Sequence, residues 1–251
     1  IMVRMTREHI ETRKDYISVY QKAISWIQTN SLDGKAIICT SKLRKGYPEV
    51  TGYYIPTLLR WGYRDLALGY AQWLCDIQKK DGSWYDTNDK APYIFDSAQV
   101  LKGLIAIYPI LPDVKEHIIR GCDWIVSRMD KNGRLITPVK NAWGKAGMCS
   151  ELVHLYCLSP LYEASALFDI SEYKAAADHI LTYYKEYHYE EIMNFGCLSH
   201  FYAYIMEALL DIGEIQLAKE AMDKIAALQK EDGSVPAYKD VNWVCSTGLF
   251  Q

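Results

Sequence analysis

The chain has 251 residues, half of them apolar and 24% charged, which supplies a sizeable core and excludes an intrinsically disordered polymer. Fifteen Gly and eight Pro exclude collagen-like and low-complexity chains, and no apolar run approaches the roughly 18 residues that span a bilayer, so no membrane span is expected. Lys and Arg total 28 against 31 Asp and Glu, a net charge of −3 that offers no basic footprint for a phosphate backbone, so no nucleic acid partner is expected either.

In chain order, a first helical stretch closes at Trp26-Ile27-Gln28 before Asp33-Gly34. Amphipathic helices are predicted over residues 66–79, 114–129, 171–187 and 215–229, each with apolar residues at three- and four-residue spacing. Between them lie helices that are apolar nearly all round, over 50–61, 96–108, 150–168 and 198–210, with another beginning at Val244. A helix apolar on every side is a buried one, so the alternation predicts an inner ring wrapped by an outer ring. Almost no period-two stretch competes, and Cys39 and Pro138 are expected in short extended loops.

Seven scattered cysteines, an odd number, read as reduced and mostly buried thiols, which points to a cytoplasmic chain. The start, Ile1-Met2-Val3-Arg4-Met5, shows no secretory signal. The sequence stops at Thr247-Gly248-Leu249-Phe250-Gln251, inside the first turns of an apolar helix, so a missing C-terminal repeat or a further domain is expected.

The helical pair repeats. Trp73-Leu74, Gln78 and Asp81-Gly82-Ser83-Trp84 are matched at the same spacing by Trp124-Ile125, Met129 and Asn132-Gly133-Arg134-Leu135; Leu228-Gln229-Lys230-Glu231-Asp232-Gly233-Ser234 repeats the second half. The glycines at 34, 82, 133 and 233 mark a period near 50, with a degenerate copy expected over 180–188. Glycine closes each helix because it adopts the left-handed conformation at low cost. Gln78-Lys79-Lys80-Asp81-Gly82-Ser83-Trp84, after Trp73-Leu74, resembles the Q-W repeat of the terpenoid cyclase and protein prenyltransferase superfamily. The resemblance implies one all-α domain over 1–251, an α/α toroid of five helical pairs left incomplete at the C-terminus. It settles architecture alone, because the same toroid carries glycoside hydrolases, polysaccharide lyases, epimerases and non-catalytic chains.

In such a toroid the starts of the inner helices open on the central cavity. Glu49, Asp96, Glu151 and His200 stand at these starts 47, 55 and 49 residues apart, near the repeat period, and are expected to face one another. Each has a plainer reading. Asp96 and Glu49 suit helix N-termini as caps or dipole partners, Glu151 and His154 can satisfy each other inside an apolar helix, and His200 can be a core histidine with one hydrogen bond.

Read together, Glu49, Asp96 and Glu151 supply the carboxylate pair of glycoside hydrolysis, one acid protonating the leaving oxygen and one activating water or attacking. His154 or His200, Tyr53 or Tyr202, and Lys42 or Arg44 suit instead β-elimination or epimerisation of a uronate. Tyr47, Tyr53, Tyr54, Trp84, Tyr93 and Trp143 cluster at the same starts as sugar-stacking platforms or as packing. The superfamily's own chemistries lack their signatures: no Asp-rich D-x-D-D run occurs, and Cys197-x-x-His200 is only a fragment of a zinc site. No cofactor and no metal are expected. The leading expectation is a carbohydrate-active enzyme taking a sugar or polysaccharide into the cavity, with Glu49, Asp96, Glu151, His154 and His200 as catalytic candidates and Arg44, Tyr47, Tyr53, Trp84, Trp143 and Tyr202 as binding candidates. A non-catalytic glycan- or protein-binding toroid, a polysaccharide lyase or epimerase, and an isoprenoid cyclase or transferase remain the alternatives.

Overall fold

A computed structural model describes residues 7–139, 142 and 150–250, with side chains between 16 and 248 of these; Trp143 and Cys149 lie outside the described residues. Helix α1 (Arg7–Thr29) leads through strands β1 (Ser31–Leu32), β2 (Ala36–Thr40) and β3 (Leu43–Gly46) into α2 (Pro48–Arg60). Next come α3 (Arg64–Ile77), α4 (Ile94–Ile107), a 3₁₀ turn at Pro112–Val114 and α5 (Lys115–Val126). A 3₁₀ segment, Glu151–Cys157, runs into α6 (Leu158–Phe168), followed by α7 (Ser171–Tyr187), the short α8 (Tyr189–Met193) and α9 (Ser199–Asp211). Helices α10 (Ile215–Ala226) and α11 (Ser246–Phe250) complete the described order.

The inner members, α2, α4, the 3₁₀–α6 segment, α9 and α11, pack on one another in sequence, while α3 and α5 lie against the pairs they join, α7 against the 3₁₀–α6 segment and α10 against α9. This is the expected α/α toroid, with five outer–inner pairs among the described residues. The core fills the space between the rings, where Leu74, Leu101, Leu104, Ile118, Ile180 and Leu209 are fully buried. None of the described helices is long and apolar enough to cross a membrane.

One expectation is corrected before α2. The stretch read as loop forms a three-stranded antiparallel meander, with Leu32 opposite Ala36 and Ile38 opposite Gly46, and Cys39 lies inside β2 rather than in a loop. The strands have two to five residues, too short for an alternating pattern to stand out.

The repeat motif joins one pair to the next. Gly82 and Gly133 adopt φ of +95° and +92°, and a Cβ there would lie 2.1 Å from the Arg120 carbonyl oxygen and 2.5 Å from that of His179. Each glycine turn is thus seated against the backbone of the following outer helix, which only glycine allows. Gln78 locks the joint: its Nε2 donates to the carbonyls of Gly82 and His117, and its Oε1 accepts from Arg120. Gln229 makes the same bond to the Gly233 carbonyl at 2.9 Å. The glycine-free copy over 180–188 falls where α7 ends, at the cap residue His188.

Trp84 belongs to this joint and not to a cavity. It has no exposed surface, its indole Nε1 donates to the Leu74 carbonyl at 2.8 Å, and its ring packs on Gly121. The expectation that it binds substrate is therefore corrected: a fully buried indole with its one donor satisfied is a core side chain.

Candidate functional site

Helices α2 and α4 touch backbone to backbone. A Cβ on Gly52 would lie 2.5 Å from the Val100 Cα, and one on Gly103 would lie 2.3 Å from the Gly52 carbonyl oxygen. Glu49 stands one turn before this crossing on α2, and Asp96 one turn before Val100 on α4. Neither N-cap residue, Tyr47 or Tyr93, makes a side-chain cap bond, and the two acids in the first turns occupy the positive ends of neighbouring helices.

Their electrostatics couple. Burial raises the Asp96 carboxyl well above the usual carboxylate range, the nearby charges of Glu49 and Asp86 raise it further, and its own backbone N–H only partly opposes this. Glu49 is also raised by burial, but the Tyr47 hydroxyl donates to its carboxylate and draws it back. Two carboxyls held this way share one proton more readily than they lose both. Burial, then the Glu49 carboxylate, holds the Tyr53 phenol neutral. A cleft of 540 Å³ opens between the strands and the end of α3, lined in part by Arg44, Pro48, Trp73, Lys79, Tyr85 and Asp86; neither Glu49 nor Asp96 lines it. Asp86 shapes its wall, accepting from the backbone N–H groups of Asn88 and Lys90 at 3.0 Å.

Rings meet between the inner helices, beginning at Phe95 in the first turn of α4. Phe95, Tyr156 and Tyr204 meet edge-on at centroid distances of 5.1 to 5.6 Å. His200 packs on Tyr204 at 5.0 Å and on Phe201 at 5.2 Å. Beyond this layer Lys102 sits 4.0 Å over the Tyr156 ring and 2.6 Å from Asp211, while the Tyr156 hydroxyl donates to Glu207 at 2.9 Å. These charges border a second cavity of 420 Å³.

The other expected residues are placed elsewhere. Glu151 begins a 3₁₀ segment, and its oxygens are taken by Arg134 at 2.9 Å and by His188 at 3.0 Å. Burial alone would raise its carboxyl; hydrogen bonds from His188 and Arg134 overcome this and lower it, which suits a fixed carboxylate and not a proton donor. His154 has other hydrogen-bond partners. It is fully buried between Thr137 (2.9 Å) and Tyr184 (3.0 Å), and burial lowers its imidazole to about 3, so it is neutral and structural. Tyr202 is 1% exposed and donates to the Ile192 carbonyl, which removes it from the binding set. Arg44 is exposed at the cleft and donates to the Ser31 carbonyl at 3.3 Å. Trp143 lies outside the described residues. Among the described residues no three His, Cys, Asp or Glu side chains gather as a metal site.

Sequence reasoning passed over Asp86, Gln99, Lys102 and Glu207. A readable signal existed for the last three. The spacing i, i+4, i+7 that puts side chains on one helix face recurs as Phe95, Gln99 and Lys102 on α4 and as His200, Tyr204 and Glu207 on α9, polar residues within otherwise apolar helices.

No described protein family matches the chain, and no curated protein matches it. Solved structures match in shape. A novel alpha-amylase from Clostridium perfringens superposes with a TM-score of 0.70 over 90% of this chain and 77% of that one, at 13% identity. The GH76 alpha-mannanase BT2949 from Bacteroides thetaiotaomicron gives 0.61 over 79% of this chain, at 16% identity. An unsaturated glucuronyl hydrolase specific for heparin gives 0.55 over 77%, also at 16% identity. The chain spans 63% and 61% of the length of the last two. Identities this low establish the shared toroid and nothing of the chemistry.

Proposed function

We propose that this toroid is a carbohydrate-active enzyme that hydrolyses a glycosidic bond, with Asp96 as the general acid and Glu49 as the carboxylate that activates water or attacks the sugar. The observation that carries the reading is the pair itself: two partly buried carboxyls at the starts of adjacent helices, both raised by burial, with Glu49 raising Asp96 further and a hydrogen bond from Tyr47 opposing the rise at Glu49. Paired acids in unlike surroundings are what acid and base roles at one bond require. The 540 Å³ cleft with Trp73, Tyr85 and Arg44, which reaches Pro48 next to Glu49, has room for sugar units. The three neighbouring structures are of glycan-cleaving enzymes, which supports the same class. The charged groups along the axis, Lys102, Glu207 and Asp211, speak against an isoprenoid-handling cavity, which needs apolar walls.

The test is release of reducing sugar from malto-oligosaccharides, α-manno-oligosaccharides and an unsaturated glucuronyl disaccharide. Wild type is expected to cleave one class, and Asp96→Asn and Glu49→Gln to lose about 10²- to 10⁴-fold in kcat, the usual contribution of a positioned acid or base. Full turnover in both variants overturns the roles. Saccharide binding by wild type without any product would establish a binding module in place of an enzyme.

A further inference from the structure

The 420 Å³ cavity beyond the aromatic layer has the size of a small-molecule site, and neither Glu49 nor Asp96 lines it. Four inner members wall it: Arg60 comes from α2, Lys102 from α4, Glu163 from α6, and Glu207 and Asp211 from α9. Arg60 ends α2 and Glu49 begins it, roughly 16 Å apart along the helix, so the cavity faces the mouth of the toroid away from the acid pair. A ligand can reach it. The side chains of Glu207 and Asp211 are 47% and 35% exposed, and Arg60 and Glu163 are exposed as well. Ser159, Glu163 and Asp211 also line an adjoining cavity of 230 Å³ that extends to Tyr162 and Ile212, which gives the space length as well as depth.

The wall's internal bonds use only part of its polar capacity. Asp211 accepts from Lys102 on one oxygen, Glu207 from Tyr156 on one, and Glu163 from Ser159 on one, the last at 2.6 Å. The second oxygen of each carboxylate remains to accept, while Arg60 and the Tyr53 phenol remain to donate. Two cations set against three carboxylates leave the charges nearly balanced, so the space does not call for a strongly charged ligand. Among the described residues no three acids gather closely enough for one metal ion. What fits is a neutral molecule with donors and acceptors around its edge and carbon faces for Tyr53, Pro56 and Ala106. We propose that this cavity is a second saccharide-binding site, in which Glu163, Glu207 and Asp211 accept from sugar hydroxyls and Arg60 donates to them. It goes beyond the hydrolase reading and stands whether or not Glu49 and Asp96 cleave a bond.

The experiment is calorimetric titration with maltotetraose, α-mannotetraose, the unsaturated glucuronyl disaccharide and spermidine, using wild type, Glu49→Gln, Glu163→Ala and Ala106→Phe. Glu163 is exposed, so its loss spares the fold, and Ala106 stands partly exposed on the α4 wall, where a ring fills the cavity. The expected result is a saccharide-binding event of equal affinity in wild type and Glu49→Gln, about 10- to 100-fold weaker in Glu163→Ala and absent in Ala106→Phe. Should Ala106→Phe fail to fold, Arg60→Ala takes its place, with the same weakening expected as for Glu163→Ala. Saccharide binding that the cavity variants keep in full overturns the proposal, and so does binding lost in Glu49→Gln alone, which places the sugar at the acid pair. No saccharide binding, or spermidine bound in place of a sugar, overturns it too, the latter by showing a cation site.

Discussion

Glu151 shows how far a side chain's neighbours decide its chemistry. At the sequence level it stands in the same repeat position as Glu49 and Asp96, yet it is pinned between Arg134 and His188. His188, bonded to Glu151 and to Glu191 at 3.0 Å each, is raised from 6.5 to about 9. A raised histidine stabilises the fold fully below its unfolded value of 6.5, and that contribution is lost as pH climbs through about 9. Glu151 is lowered below 4.5, so its share is present above 4.5 and is lost as pH falls through the folded value. The two conditions overlap between 4.5 and 6.5. Replacing His188 with Ala is expected to cost about 2 kcal/mol in that window, because a mostly buried carboxylate is left with Arg134 alone as its partner. The penalty should shrink above pH 9 and below pH 4.5. Urea unfolding of both proteins at pH 3, 5.5 and 9.5 checks this, and a penalty independent of pH refutes the ion-pair origin.

At the scale of elements, the site depends on how closely α2 and α4 approach. Gly52 and Gly103 remove every side-chain atom from the crossing, and their absence of Cβ is what lets the first turns bearing Glu49 and Asp96 come together. Gly52→Ala places a methyl against the Val100 backbone, which cannot yield as a side-chain tip would. The expected result is destabilisation of about 2–4 kcal/mol by overpacking, with loss of turnover in whatever fraction stays folded because the helices part. Gly62→Ala is a useful control: it has open space around it and strains only its own φ of +83°. Equal turnover per folded molecule in Gly52→Ala and Gly62→Ala would contradict the role of the crossing. The same element-level logic explains what the sequence revealed. Glu49 and Asp96 were legible because both begin regular α-helices one repeat apart. Glu151 was misread because its segment opens as a tighter 3₁₀ helix, whose three-residue turn aims the first side chain differently from an α-helical start.

For the whole molecule, the toroid was readable because its joints are written into the chain: Gln78 and Gly82, Gly133, then Gln229 and Gly233 recur with the glycines near one period, and the apolar and amphipathic helices alternate between them. The short strands before α2 carry too few residues to announce themselves, and the burial of Trp84 and Tyr202 was hidden because a ring at a helix start reads alike as platform or as packing. What no repeat pattern discloses is the mutual influence of two acids across a helix crossing, on which the proposed function rests. The most direct measurement is a ¹³C NMR titration of the side-chain carboxyls, with resonances assigned through Asp96→Asn and Glu49→Gln. The predicted result is an Asp96 carboxyl that stays protonated well above the ordinary aspartate value of 3.8 and moves down toward it in Glu49→Gln. An Asp96 that titrates near 3.8 in wild type and ignores the loss of Glu49 would contradict the paired-acid site.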